Sequence, residues 1–182
     1  MSEASPQDSI AAGLEALPGP LRRDLPERWR RFGQAHPAVA DAVQADAQFV
    51  QSVPRVWAAS EFVTEHCLRD GDALAQVADM VRLRWTPGEL LAGAATMLQE
   101  TEDEAAALRI LRLFRRREML RIAWRDLAGW AVLEETLGHL SELAEVCIRA
   151  ADDWVHRGMV AKHGEPLGRD GTQQRLLVVA MG

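Results

Sequence analysis

The sequence predicts a mainly α-helical protein, with a multi-helix domain followed by a loop and the first strand of a truncated α/β-type domain. Three observations carry this reading. Apolar residues recur at helical spacing through most of residues 36–156, the pattern of helices that bury one face. It stops at residue 157, where RGMVAKHGEPLGRDGTQ holds four glycines and a proline with no sustained period. Leu176-Leu177-Val178-Val179-Ala180 is then a short, β-branched apolar run that reads as a buried strand. The predicted organisation is a partly mobile leader over 1–35, a helical domain over 36–156, and a loop with a first strand over 157–182. A single strand makes no sheet, so the expectation is a chain that stops just inside a second domain.

In order, residues 1–20 are polar, carry Pro6, Pro18 and Pro20, and show only a weak Ile10/Leu14/Leu17 stripe, enough for one short helix. Leu25 to Ala35 forms a second short helix in which Pro26 suits the first turn and Trp29 and Phe32 are core anchors. From Pro37, Val39, Val43, Ala47 and Val50 predict a helix to about Ser52, interrupted by Pro54. Val56, Trp57, Ser60, Phe62, Val63 and Cys67 carry the next stretch to the turn cluster Arg69-Asp70-Gly71-Asp72. Leu74, Val77, Ala78, Val81 and Trp85 carry another. Thr86-Pro87-Gly88-Glu89 supplies a cap, a first-turn proline and an acid three residues after the cap, opening the stripe Leu90, Leu91, Ala94, Met97, Leu98. The acidic break from Glu100 to Glu104 puts negative charge at the start of the next helix, where the helix dipole favours it. After Gly129, Val132 to His156 reads as a long helix with an apolar stripe from Leu133 to Val155.

The helix over Ala105–Trp130 is the most informative. At about 100° per residue, Ile110, Leu111, Leu113 and Phe114 share one side, whereas Leu120, Ala123, Trp124 and Leu127 lie roughly 130° further round. The first face, continued, meets Arg117, Arg121 and Arg125 at i, i+4, i+8, stacked one above another. Three readings stand open. The helix breaks near Arg115 into two amphipathic pieces; or it is central, its arginines paired with carboxylates and their stems lying on apolar surface; or the three guanidiniums face a phosphate or carboxylate, which their planar fork suits.

Composition narrows the function classes. With 48% hydrophobic and 26% charged residues, the chain is a globular one, and no apolar run approaches the length of a membrane span. The acidic N-terminus lacks a signal-peptide core, so the expected location is cytoplasmic. Net charge is −6, which argues against a general nucleic-acid binder, although seven arginines lie between Arg109 and Arg125. Cys67 and Cys147 sit far apart in helical patterns and read as small core residues. The histidines are scattered, so neither a metal site nor a catalytic residue is assigned within this chain.

Four stretches resemble a known family: Trp57-Ala58-Ala59-Ser60-Glu61-Phe62-Val63, LRLFRRREMLRIAWRDLAG from Leu111 to Gly129, LEETLGHLSELAEVCI from Leu133 to Ile148, and LLVVAMG from Leu176 to Gly182. Their order and spacing over residues 50–182 resemble the N-terminal region of the bifunctional glutamine synthetase adenylyltransferase/adenylyl-removing enzymes. Ala180 stands where the family pattern has glycine, and Val132 where an Asp cap is usual, a change worth about 1 kcal/mol at the start of the long helix. The resemblance implies that Met181 and Gly182 begin the nucleotidyltransferase motif, whose metal-binding aspartates lie beyond this chain. It implies a parent that attaches AMP from ATP to a tyrosine of glutamine synthetase and removes it by phosphorolysis, releasing ADP. Mg2+ and ATP are its implied cofactors, and glutamine synthetase and the PII signalling protein its implied partners. This chain would be the helical lead-in of the adenylyl-removing half, catalytically incomplete by itself, and Arg117, Arg121 and Arg125 would face the AMP-tyrosine or phosphate. The alternative is a freestanding helical protein-interaction module; a helix-turn-helix reader lacks a convincing short turn.

Overall fold

The computed structural model describes residues 6–83, 87–99, 101 and 103–179. The expectations for Trp85, for Thr86 as a cap, for Glu100 and Glu102, and for Ala180, Met181 and Gly182 fall outside the described residues. The described chain is helical, in the order α1 (Pro6–Glu15), α2 (Gly19–Arg22), α3 (Leu25–Ala35), α4 (Pro37–Gln44), α5 (Ala47–Ala59), α6 (Glu61–Arg69), α7 (Gly71–Met80), α8 (Pro87–Leu98), α9 (Glu104–Ala128) and α10 (Leu133–His163). It divides into two compact units, one of residues 1–83 with 119–137 and one of 84–118 with 138–182.

Capping chemistry sets the boundaries that periodicity misplaces. The helix expected from Pro37 to about Ser52 is two helices, because Asp46 accepts a hydrogen bond from the Phe49 amide at 3.0 Å and starts α5 afresh. Pro54 does not interrupt; it lies inside α5, which continues to Ala59. The expected stretch from Val56 to Cys67 is cut instead at Ser60, whose Oγ accepts from the Val63 amide and opens α6. Asp103 does the same for α9, its carboxylate accepting from the Ala106 amide at 2.8 Å. Behind α9 the chain turns at Gly129, with φ +76°, a left-handed geometry that glycine adopts without Cβ strain. The Trp130 amide then donates to the Arg125 carbonyl at 2.8 Å.

The first unit is built around a core of Phe32, Phe49, Val53, Val56, Trp57, Val63, Cys67, Leu74, Leu120 and Trp124, all essentially excluded from solvent. Trp29, Phe32 and Trp57 form an aromatic group, and Phe49 stacks on Trp124 at 4.7 Å with an 11° interplanar angle. The Trp124 indole N–H donates to Ser52 Oγ at 2.9 Å. Residues 6–35, expected as a leader, supply three helices to this unit, with Leu25 and Phe32 buried. A Cβ on Gly13 of α1 would come within 2.4 Å of the Gln51 carbonyl oxygen of α5, so the two backbones approach closely because residue 13 has no side chain.

In the second unit, Leu90, Ala94, Leu98, Ala107, Phe114, Leu143, Val146 and Ala150 are buried. The Trp154 indole donates to the Thr101 carbonyl at 2.6 Å and Arg157 to the Leu98 carbonyl at 3.3 Å, tying α10 to the chain behind α8. The helix passes the expected end at 156 and reaches His163, where Gly164 turns it off at φ +83°. Among the described residues there is no strand. Leu176, Leu177, Val178 and Val179, expected as a buried strand, have no ladder partner and are 48–83% exposed.

Candidate functional site

The arginine helix is unbroken. Arg115, Arg116, Arg117 and Glu118 lie within the continuous 25 residues of α9, which removes the reading in which the helix splits near Arg115. The division between units falls between Glu118 and Met119. That is where the apolar face changes sides, since the two halves of α9 serve different cores. Phe114 is buried in the first half and Leu120, Ile122 and Trp124 in the second, while Leu113 is half exposed.

The three stacked arginines therefore have separate surroundings. In the first unit, Arg121 is 1% exposed and donates through Nη1 to the Leu83 carbonyl at 3.4 Å. Arg125, 6% exposed, donates to the Val81 carbonyl at 2.9 Å, to the Trp130 carbonyl at 3.3 Å, and twice to Glu135 Oε1, at 3.2 and 2.5 Å. Val81 is the C-cap of α7. A helix end leaves carbonyls without intrahelical donors, and Arg125 supplies one. This guanidinium ties the end of α7, the turn behind α9 and the first turn of α10 together. In the second unit, Arg117 is about a third exposed, lies 5.6 Å from the Phe114 ring centroid and contacts Glu118 Oε1 at 3.3 Å. Glu118 is itself 1% exposed. Arg109, Arg112, Arg115 and Arg116 are exposed.

Sequence reasoning singled out Arg125 but not its acceptors, because backbone carbonyls leave no mark in a sequence. Glu135 lies ten residues on and across a turn, and nothing in the sequence pairs it with Arg125. Reasoning also missed Arg175, which donates to Asp152 Oδ2 at 2.8 Å and to Asp153 Oδ1 at 2.5 Å.

Neither cysteine is placed as a nucleophile. Burial pushes the Cys67 thiol up to about 12, and burial also raises Cys147. No group of three or more His, Cys, Asp or Glu among the described residues is placed to hold a metal ion, and the Asp152/Asp153 pair is taken up by Arg175. No helix among the described residues is long and apolar enough to cross a membrane.

A model of the family described as glutamate-ammonia ligase adenylyltransferase matches residues 50–182. Among curated proteins, the bifunctional glutamine synthetase adenylyltransferase/adenylyl-removing enzyme of Thioalkalivibrio sulfidiphilus is 43% identical over 171 residues, covering 93% of this chain and 17% of that protein. The protein of the same name from Pseudomonas aeruginosa is 44% identical over 131 residues, 70% of this chain and 13% of that protein. The one from Nitrosococcus oceani is 34% identical over 174 residues, 94% and 18%. The chain spans less than a fifth of the length of these relatives. No solved structure matches it.

Proposed function

The chain belongs to the glutamate-ammonia ligase adenylyltransferase family, and we propose that it is the helical lead-in of the adenylyl-removing half of a bifunctional enzyme acting on glutamine synthetase. The observation that carries the proposal is the family match over residues 50–182, together with the shared name of relatives that cover nearly all of the chain. In this reading the apolar run Leu176–Val179 continues into the first strand of a nucleotidyltransferase domain. Four exposed apolar residues in a row support a segment that gains its partner strands from residues outside the described chain.

The parent enzyme would transfer AMP from ATP to a tyrosine of glutamine synthetase, with Mg2+. In the reverse process an oxygen of inorganic phosphate bonds to the phosphorus of the tyrosyl-AMP, the bond to the tyrosyl oxygen breaks, and tyrosine and ADP leave. The PII protein would regulate it in the cytoplasm. By itself this chain carries no such chemistry. Of the three stacked arginines, Arg117 is the one that keeps about a third of its side chain open to solvent, whereas the burial and bonding of Arg121 and Arg125 favour packing.

The test is the reading frame after Gly182 and the activity of its product. A Lys-Leu-Gly stretch soon followed by Ser-Asp-x-Asp, in a protein that releases ADP from adenylylated glutamine synthetase only with phosphate, supports the proposal. A stop codon at that point supports a freestanding interaction module, and so does phosphate-independent binding without turnover. ADP release by the 182-residue chain alone would contradict its catalytic incompleteness.

A further inference from the structure

Beyond His163 the chain does not wander off. Gly164 reverses it, and residues 166–174 form a tight hairpin closed by an isolated antiparallel bridge between Leu167 and Gln173. The Gln174 amide donates to the Pro166 carbonyl at 2.8 Å and the Gly168 amide to the Thr172 carbonyl at 2.8 Å. At the tip, Asp170 Oδ1 accepts from the Thr172 amide and hydroxyl at 3.1 and 2.7 Å, and Gly171 takes φ +79°. The chain leaving this hairpin meets α10 again through Arg175. Its two acceptors lie ten and eleven residues before the end of the helix, roughly 15 Å back along its axis. Leu176, Leu177 and Val178 then line a groove of about 560 Å³ together with Ser141, Ile148 and Asp152 of α10.

We propose that Arg175, clamped on Asp152 and Asp153, is a positioning latch that folds the exit segment back along α10 and so sets the place and direction in which the following catalytic module begins. The proposal rests on the functional reading above for its catalytic consequence, but not for the latch itself. Consecutive residues on a helix diverge by about 100°, so one guanidinium reaches both carboxylates only when it sits over the helix between them. The bridge supplies register that the apolar residues cannot, because hydrophobic contact is not directional. Arg175 and Asp153 are about half exposed, so the latch is salt-sensitive and its strength is that of a surface network.

The test has two arms. In the 182-residue chain with Cys147→Ser, spin labels at Glu145 and Val179 report the distance between α10 and the exit segment. Wild type gives one narrow distribution at low salt. Arg175→Glu, and about 1 M salt on the wild type, raise the population outside that peak about fivefold, roughly 1 kcal/mol, while Arg175→Lys keeps most of the peak. A distribution unchanged by Arg175→Glu overturns the latch. In the parent enzyme, Arg175→Glu lowers kcat of phosphate-dependent deadenylylation by the same fraction that the labels show leaving the latched peak, with the KM for adenylylated glutamine synthetase and the adenylylation rate unchanged, and Arg175→Lys restores it. Open labels with both rates unchanged overturn the positioning role. Loss of adenylylation instead upholds the latch and refutes the assignment to the adenylyl-removing half, and a parent inactive on glutamine synthetase refutes the functional reading while the labels still decide the latch.

Discussion

Arg125→Ala is the most informative single change, because it separates a structural arginine from a ligand-facing one. The substitution strands the Val81 and Trp130 carbonyls and leaves Glu135 without a cation that donates two hydrogen bonds to it. Hydrogen bonds to a charged group contribute about 1.5–3 kcal/mol each, but they are not additive. Removing one member of a buried pair costs about 3–5 kcal/mol. With Arg125 itself 6% exposed and Glu135 retaining some contact with water, the lower part of that range applies, about 3–4 kcal/mol. For a chain of this size that lowers Tm by about 10 °C. Urea unfolding followed by tryptophan fluorescence measures the loss, and Arg125→Lys should recover less than half of it, since an ammonium cannot reach three acceptors in the guanidinium's plane. A loss below about 1 kcal/mol, the range of an exposed pair, would refute the packing role and return Arg125 to the anion-facing reading.

Other outcomes follow from the same structure. Gly13→Ala should destabilise the first unit by about 1–3 kcal/mol, read as a lower urea midpoint, because the new Cβ meets the Gln51 carbonyl oxygen; an unchanged midpoint would mean that α1 does not pack on α5. Asp46→Ala should cost about 1 kcal/mol at pH 7. Arg82 first, and then the Phe49 amide, hold the Asp46 carboxyl below its ordinary range, so its contribution is present at neutral pH and fades below about pH 4. Unfolding curves of the two proteins should therefore converge on acidification; a constant gap would exclude this titration. Trp124→Phe removes the bond to Ser52 Oγ and should cost about 1–2 kcal/mol, with Ser52→Ala in the same background adding little, as a double-mutant cycle would measure. Cys67, its thiol pushed up to about 12 and fully buried, should resist alkylation in the native protein at pH 8 and react in urea; rapid native labelling would contradict the burial of α6.

Much of the fold was legible. Helices α7, α8 and α10 lie where period 3.6 places them, and Cys67 is the core residue its apolar neighbours suggest; of the stripe expected on α10, however, Leu143 is buried while Leu133, Leu137, Ile148 and Val155 are exposed, and Val146 and Ala150 are buried beside it. The failures share a cause. Periodicity reports burial, and burial continues across a break whenever both helices face one core, so the breaks at Asp46 and Ser60 were hidden while their caps were visible only as ordinary polar residues. Pro54 misleads in the opposite direction: a proline signals an interruption, yet it sits within α5 as its eighth residue, among buried neighbours. Helices α1 and α3 lie where two short helices are expected; what stayed hidden was α2 and the close packing of α1, which approaches α5 through Gly13, a residue without any hydrophobic signal.

By itself the sequence determined that the chain is helical and which family it belongs to. Those properties are written in side-chain type and spacing along one chain. Only the tertiary structure decided that α9 stays whole across a division between two units, that Arg121 and Arg125 are buried on the carbonyls of Leu83 and Val81, and that Arg175 reaches back to Asp152 and Asp153. An arginine reads the same in sequence whether its guanidinium meets an anion, a carboxylate or the end of a helix. Its acceptors are brought to it by folding, across 44 residues of chain in the case of Val81.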